Sequence, residues 1–204
     1  MTDLRRMRFF LGIKVLQQTN GIYICQRKYT LKVLKWFGME ESNAVMNLMV
    51  PSFKADKIGE GNKIDETYYK QIVGSLMYIT ATRPDIMFGV SFISRFMASP
   101  TEVHLQAAKR ILRYLKGTIN YGIFYKKNEN KQLIAYTDSD YARDIADRKS
   151  TSGYVFMLNG GAVSWSSKKQ PIVTLSTTEA EFCGSSSLCL PSSMDEKDSK
   201  EVKS

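Results

Sequence analysis

The 204-residue chain is poor in the residues that build metal centres and disulfide frameworks, with three cysteines and one histidine. Cys25, Cys183 and Cys189 lack metal-ligand spacing and form no disulfide framework, so we expect reduced thiols in an intracellular protein. His104 has no cysteine or second histidine nearby, and we expect it to be structural rather than a ligand or a general base. These scarcities argue against a zinc centre and a disulfide-rich secreted scaffold.

Long apolar runs and acidic residues are also scarce. No uninterrupted apolar run reaches membrane-spanning length, and residues 1–8 lack a signal-peptide core. We therefore expect a cytoplasmic or nuclear chain that is neither secreted nor membrane-bound. Asp and Glu number 20 against 29 Lys and Arg, which gives a net charge of +9 and a pI near 9.4. An anionic partner fits this charge, as does a merely lysine-rich globular protein.

The first third of the chain alternates between strand and turn signals. Residues 8–17 read as one strand, Gln18-Thr19-Asn20-Gly21 as a turn, and residues 22–26 as the returning strand. A helix over residues 29–37 follows, with Gly38 placed to end it. Residues 41–62 contain Pro51 and polar residues, and they read as an irregular connector.

Helical periodicity dominates the next fifty residues. Asp65 is expected to begin a helix that stops at Arg83-Pro84, and Pro84 is expected to open a second helix. Gly89 in that second helix would allow a neighbour to approach closely. The apolar positions of the two helices are Tyr69, Ile72, Val73, Leu76 and Ile79 in the first, and Ile86, Val90, Ile93 and Met97 in the second.

A third helix carries two contrasting faces. Ser99-Pro100-Thr101-Glu102 has the form of a capping box, and the helix is expected to run to about Lys116. One face is apolar, with Ala108, Ile111, Leu112 and Leu115. The other is a basic stripe of Lys109, Arg113 and Lys116. Such a stripe is either a solvated face or a track for a phosphate backbone, and the sequence leaves both interpretations open.

The last third places carboxylates at the ends of regular elements. An apolar run at residues 133–136 leads into Asp138 and Asp140, and two further strands flank the hairpin signal Asn159-Gly160-Gly161. Ser176 introduces a helix that carries Glu181. A carboxylate at a strand end and another on a following helix suit a hard divalent cation, although strand-end aspartates also serve as caps.

These residues resemble a known family. The C-terminal matches are YTDSDYA at 136–142, DRKSTSGYVF at 147–156, AVSWSSKKQ at 162–170 and LSTTEAEF at 175–182. The N-terminal ones are FLGI at 10–13, QRKY at 26–29, IVGSLMY at 72–78, TRPDI at 82–86 and HLQAAKRILRYLKGT at 104–118. The C-terminal segments resemble the start of the ribonuclease H domain in copia-type retrotransposon polyproteins, and the N-terminal ones resemble the polymerase segment after the palm, including thumb and connection helices.

The resemblance implies an α+β fold with three parts. Residues 1–125 would form the C-terminal region of a reverse transcriptase, with a β-hairpin followed by thumb- and connection-like helices. Residues 126–190 would form a partial ribonuclease H-like α/β domain of three antiparallel strands and its first helix. Residues 191–204, which are charged and nearly devoid of apolar side chains, read as a disordered tail.

The resemblance also implies which catalytic residues are present. The ribonuclease H of this family uses four carboxylates around two magnesium ions, and the motif match makes Asp138 the first and Glu181 the second. Glu179 competes with Glu181, but it lies three residues after Ser176, where a capping box would use it. The third and fourth carboxylates have no matching segment, and the Tyr-x-Asp-Asp pair of the polymerase is not in the chain.

We therefore expect a truncated Pol fragment that is catalytically inactive, in which Asp138 and Glu181 are vestigial and magnesium matters only if nuclease activity remains. Residual binding of an RNA–DNA hybrid or of DNA would use Lys109, Arg113 and Lys116. Two alternatives stay open: a magnesium-dependent ribonuclease H completed by another chain, and a protein-interaction module that uses the helices of residues 65–116 and an unpaired sheet edge. The sequence leaves the oligomeric state unknown.

Overall fold

The computed structural model describes residues 7–49, 62–127, 132–142, 144 and 147–186. In these ranges five α-helices and two small antiparallel sheets form an α+β fold, which confirms the predicted fold class. The chain divides into two compact units. Unit 1 comprises Met1–Leu133 and Leu158–Ala162, and unit 2 comprises Ile134–Met157 and Val163–Ser204. The predicted tail at 191–204 lies outside the described residues.

Unit 1 combines a four-stranded sheet with four helices. In chain order its elements are β1 (Phe9–Phe10), β2 (Ile13–Gln18), β3 (Gly21–Cys25), α1 (Arg27–Trp36), α2 (Glu66–Ile79), a 3₁₀ turn (Pro84–Ile86), α3 (Met87–Ser94), α4 (Glu102–Gly117) and β4 (Ile123–Lys126). The sheet has the order β1-β2-β3-β4, with antiparallel neighbours throughout.

The prediction of one strand over residues 8–17 is wrong, because the chain reverses in its middle. Leu11 and Gly12 have φ values of +44° and +76°, and Phe10 pairs with Ile13 across the turn. Two successive residues with positive φ make the tight hairpin turn whose twist matches that of paired strands. The Tyr78 hydroxyl on α2 donates a hydrogen bond to the Leu11 carbonyl, which holds leucine in a backbone region that it rarely adopts.

The helices of unit 1 enclose one hydrophobic core. All five apolar residues predicted for α2 are fully buried, which confirms the periodicity assignment. Asp65 caps α2 as predicted, accepting hydrogen bonds from the backbone N–H groups of Thr67 (2.9 Å) and Tyr68 (3.3 Å). On α3, a Cβ added to Gly89 would lie 3.0 Å from Leu48 Cδ2 and 3.3 Å from Ile111 Cδ1. Gly89 therefore permits the predicted close approach, in this case of α4 and the Leu48 loop.

The cap of α4 differs from the sequence prediction. Ser99 was expected to begin the capping box, but Thr101 is the N-cap and His104 takes the reciprocal position. Nδ1 of His104 accepts a hydrogen bond from the Thr101 backbone N–H at 3.0 Å, and the imidazole stacks on the Phe96 ring at 3.9 Å between centroids. His104 is buried, so its expected structural role is confirmed.

Arg83 joins the end of α2 to the end of α4. Its side chain is 4% exposed and makes a two-pronged ion pair with Asp85, with Nε–Oδ1 at 2.8 Å and Nη2–Oδ2 at 2.7 Å. The same guanidinium donates to the carbonyl of Thr118 at 2.9 Å and to its hydroxyl at 2.7 Å. The planar donor fork of arginine suits this arrangement, whereas lysine offers only a point charge.

Unit 2 is built on a three-stranded sheet of order β5-β6-β7. Its elements are β5 (Leu133–Asp140), β6 (Thr151–Leu158), β7 (Gly161–Lys169) and α5 (Thr177–Ser186). Asn159 and Gly160 connect β6 to β7 with φ values of +51° and +77°, as the hairpin signal predicted. This turn belongs to unit 1, in which the Asn159 carbonyl accepts a hydrogen bond from the Lys126 N–H at 3.0 Å. A search of the described residues finds no helix that is long and apolar enough to cross a membrane.

Candidate functional site

The two carboxylates singled out by motif lie on different elements of unit 2. Asp138 is near the C-terminal end of β5 and Glu181 is in α5, and both side chains are exposed. Within the described part of the chain, neither carboxylate has an ion pair or a hydrogen bond. Both are therefore open to solvent and to a ligand.

Close packing brings α5 against the end of β5. Ala180 and Gly184, one helical turn apart, are both buried. A Cβ added to Gly184 would lie 2.5 Å from Oγ of Ser139, so only glycine lets the helix backbone lie this close to the strand. Ser139 follows Asp138, and Glu181 follows Ala180, so each carboxylate is next in sequence to a residue of this helix–strand contact. Successive side chains of a strand point to opposite faces of the sheet, so Asp138 and Ser139 lie on different faces of β5, and the pairing of Asp138 with Glu181 stays a prediction.

Glu179 and Glu181 have different surroundings. Glu179 Oε2 accepts a hydrogen bond from the Leu175 N–H at 2.7 Å, and Ser176 Oγ accepts one from the Glu179 N–H at 3.1 Å. These bonds satisfy two backbone donors at the start of α5, which is the capping role that the sequence suggested for Glu179. Among the described residues, the carboxylate of Glu181 has no hydrogen-bond or ion-pair partner, in contrast to that of Glu179.

The other acidic residues near the end of β5 are engaged in the fold. Oδ1 of Asp140 accepts a hydrogen bond from the backbone N–H of Thr151. Lys169 Nζ lies 2.5 Å from Asp144 Oδ2 and 2.7 Å from Asp147 Oδ1. Partial burial raises the pKa of Asp147, but hydrogen bonds from Lys169 and the Lys149 N–H outweigh it and hold the pKa below its usual value. Asp144 and Asp147 are therefore ion-paired with Lys169, and Asp140 is hydrogen-bonded to the backbone.

The basic stripe of α4 borders a cleft in unit 1. Lys109 and Arg113 line this cleft, which has a volume of about 530 Å³. Lys116 is on the same helix face one turn further on, and all three side chains are partly buried. The remaining lining residues are Met39, Met49, Gln106, Ala107 and Arg110. Lys109, Arg110 and Arg113 thus form the basic wall of a concave surface whose other lining residues are mostly apolar.

The two arginines of the cleft differ in their contacts. Arg113 Nε donates to the Asn43 carbonyl at 2.6 Å, so this residue also anchors a loop to α4. Arg110, which the sequence analysis did not single out, has a buried Nε with no hydrogen-bond partner among the described residues. The helical spacing of Arg110 from Lys109 and Arg113 is visible in the sequence. Its place in a cleft depends on Met39 and Met49, which lie more than fifty positions earlier.

Comparison with known proteins accounts for these motifs. The chain is 46% identical over 180 residues to the retrovirus-related Pol polyprotein from transposon RE1 of Arabidopsis thaliana, and 44% identical over 177 residues to that from transposon RE2. These matches cover 88% and 86% of the chain. The corresponding polyprotein from transposon TNT 1-94 of Nicotiana tabacum is 39% identical over 191 residues, or 89% of the chain and 14% of that protein. The chain belongs to the copia-type retrotransposon Pol polyproteins.

The chain is also similar to a shorter protein. An uncharacterized mitochondrial protein of Arabidopsis thaliana is 36% identical over 182 residues, which are 89% of this chain and 75% of that protein. By contrast, this chain spans only 12% of the RE1 and RE2 polyproteins. No family model matches the chain, and no solved structure does.

The described residues do not fit the two-magnesium centre that the family resemblance implies. Carboxylate oxygens are the right ligand type, and Asp138 and Glu181 offer them. However, no group of three or more His, Cys, Asp or Glu side chains among the described residues could hold a metal ion. Two ions about 4 Å apart need more ligands than two single carboxylates provide. The set of four that the family resemblance implies is therefore not assembled by these residues.

Proposed function

We propose that this Pol segment binds nucleic acid, as an RNA–DNA hybrid or as DNA, along the basic face of α4. The proposal depends chiefly on one observation: the cleft beside α4 places Lys109, Arg110 and Arg113 on a concave surface. The net charge of +9 supports it, because a basic protein attracts a polyanion before any specific contact forms.

The spacing of the stripe suits a phosphate backbone. Lys109, Arg113 and Lys116 lie four and then three residues apart, so they share a helix face and span about 10 Å along α4. One strand of a duplex advances by about 3.4 Å per nucleotide, so this span corresponds to about three nucleotides. Phosphate contacts of this kind give affinity without sequence preference.

We further propose that the 204-residue chain, by itself, does not cleave the hybrid that it binds. The exposed pair Asp138 and Glu181 supports this proposal, because two carboxylates cannot hold two magnesium ions in the geometry that phosphodiester cleavage needs. The same exposure leaves both side chains accessible to ligands from a second chain. Completion by another chain is thus the alternative outcome that the cleavage test distinguishes.

The binding proposal is tested by measuring hybrid affinity between about 50 and 200 mM salt. We expect log Kd to rise linearly with log salt, and Lys109→Gln with Lys116→Gln to reduce the slope by about two. The matched control is Lys70→Gln, since Lys70 is an exposed lysine of α2 paired with Glu66 at 2.9 Å. A slope that is flat, or that the paired α4 variant leaves unchanged, would remove the proposal.

The inactivity proposal is tested with a labelled hybrid and magnesium at high protein concentration. We expect no cleavage. Cleavage that Asp138→Asn abolishes would contradict the proposal and make Asp138 a catalytic residue. In that event the protein concentration dependence identifies the source of the missing ligands, because a site completed by a second copy loses activity on dilution.

A further inference from the structure

Helix α1 presents a cationic face to solvent. Arg27, Lys28, Lys32 and Lys35 are all exposed, and α1 contains no acidic residue. Within the part of the chain that the structure describes, none of these four side chains forms an ion pair. The next acidic residue along the chain is Glu40, beyond the end of the helix. Four unneutralised charges on ten residues call for an anionic partner.

Exposed aromatic rings are interleaved with these charges. Lys28 Nζ lies 4.9 Å from the centroid of the Phe9 ring, and Lys32 Nζ lies 4.5 Å from that of Trp36. Phe9 is 52% exposed and Trp36 is 56% exposed. Tyr29 meets the Trp36 ring edge-on at 6.5 Å. The surface is therefore an array of ammonium groups on open ring faces, rather than a purely charged face.

The opposite side of α1 accounts for the packing of the helix. Thr30, Val33 and Leu34 are buried, and Val33 and Leu34 belong to the core of unit 1. Tyr29, partly buried between the two sides, contacts Tyr78 of α2 at 4.8 Å between centroids. Packing thus fixes the orientation of the helix without Trp36, whose large ring is left in solvent. A tryptophan in that position is typical of a contact surface.

We propose that α1 and Phe9 form a platform for single-stranded nucleic acid, on which bases stack against Trp36 and Phe9 while the basic side chains contact phosphates. This inference rests on the proposed nucleic-acid binding of the chain and assigns to it a second surface, separate from the α4 cleft. Open ring faces favour single strands, because bases stacked inside a duplex offer no free face to a side chain.

The lysines that cover the rings do not prevent such stacking. An exposed cation–π contact contributes a factor of about 2 to 5 to an equilibrium, whereas stacking a base on an aromatic side chain contributes a factor of about 5 to 150. A base therefore displaces the ammonium group from the ring. The displaced Lys28 or Lys32 head group stays beside the base, within reach of the phosphate that follows it.

The test uses the full chain and a labelled oligothymidylate, with affinity measured by fluorescence anisotropy. We expect Trp36→Leu to weaken binding about tenfold or more, and Trp36→Phe, which keeps a ring, to recover most of the loss. Lys28→Gln with Lys32→Gln should lower the salt slope by somewhat less than two, near 0.7 per contact for a single strand. Equal affinities of wild type and Trp36→Leu would overturn the proposal.

A second measurement reports stacking directly. In a Trp165→Phe background, Trp36 is the remaining tryptophan, and we expect its fluorescence to be quenched as oligothymidylate binds. Binding without quenching would contradict stacking on Trp36. Vesicles containing anionic lipid serve as a competitor: if they quench Trp36 and oligothymidylate does not, the platform binds a membrane surface and the proposal fails.

The α4 variant separates this inference from the proposed function. Lys109→Gln with Lys116→Gln should weaken hybrid binding and leave the quenching of Trp36 by oligothymidylate intact. If that variant leaves hybrid binding unchanged while Trp36→Leu still weakens oligothymidylate binding, the α4 proposal fails and the α1 platform stands. If the variant abolishes the quenching as well, α1 has no binding surface of its own and the inference falls.

Discussion

Replacing Arg83 by methionine would remove the hydrogen bonds that its side chain makes to Asp85, in the turn after α2, and to Thr118, at the end of α4, while keeping most of the side-chain volume. The guanidinium makes four donor contacts at 2.7–2.9 Å, two to the Asp85 carboxylate and two to Thr118. Its central carbon, Cζ, also lies 5.6 Å from the Tyr114 ring centroid and 5.3 Å from that of Tyr121. The variant leaves the Asp85 carboxylate without its cation and removes one of two donors from the Thr118 carbonyl, which keeps a hydrogen bond from the Tyr121 N–H at 3.0 Å.

The expected loss of stability comes from the Asp85 carboxylate, which remains partly buried after its cation is removed. Removing one partner of a buried ion pair costs about 3–5 kcal/mol, because the other charge remains desolvated. The Asp85 side chain is 35% exposed and keeps a hydrogen bond from the Tyr114 hydroxyl at 3.0 Å, so we expect the low end, about 3 kcal/mol. At about 3 °C per kcal/mol for a unit of this size, the Tm should fall by about 9 °C.

Urea titration and thermal melting of Arg83→Met and of the wild type measure this loss of stability. Arg83→Lys should recover part of the loss, because lysine restores the charge and not the fork. Arg27→Met is the matched control: Arg27 is exposed on α1, and the change should stay within about 0.5 kcal/mol. If Arg83→Met were as stable as Arg27→Met, the network around Arg83 would contribute nothing net, and the argument from uncompensated groups would be refuted.

Two further predictions concern pH dependence and the α5 glutamates. Burial raises the pKa of the Tyr69 phenol above its usual value near 10, so the stability it contributes should be full below about pH 10 and fall above it as the unfolded chain ionises. In urea titrations at about pH 8, Tyr69→Phe should lower the free energy of unfolding by about 1 kcal/mol, because the hydrogen bond to the Ile93 carbonyl is lost. Between about pH 8 and pH 10.5 the free energy of unfolding should fall less in the variant than in the wild type, and an equally steep fall would contradict this. Glu179→Ala should destabilise α5 by about 1 kcal/mol through loss of its cap, and Glu181→Ala should change stability by less than about 0.5 kcal/mol; equal losses would contradict the different roles given to the two residues.

Local patterns were enough to predict most helices. Apolar residues at helical spacing predict a buried face whatever that face packs against, which is why the predicted residues of α2 are all buried. The caps were less predictable, since Asp65 caps α2 as expected while Thr101 replaces Ser99 at α4. Several polar residues near a helix start can each serve as a cap, and the packing of His104 on Phe96 selects one of them.

Turns without glycine–asparagine signals were harder to predict. The pair Asn159-Gly160 predicts a hairpin turn, because both residue types tolerate positive φ. Leu11 predicts no turn, because leucine rarely adopts positive φ. Its left-handed conformation depends on the hydrogen bond that its carbonyl accepts from the hydroxyl of Tyr78, a residue 67 positions away. The sequence interpretation of residues 8–17 as one strand was wrong for this reason.

The amino-acid sequence alone determined the family resemblance, the helix faces and the pair Asp138 and Glu181, because each of these depends on residue order or on short-range periodicity. Only the tertiary structure showed that β4 pairs with β3, with Ile123 opposite Ile24, since this pairing joins segments that local patterns treat separately. It also joined Arg83 to Thr118, formed the cleft beside α4 and placed the Phe9 ring next to Lys28 of α1. Each of these contacts involves residues that are distant in sequence, and only the packing of unit 1 brings them together.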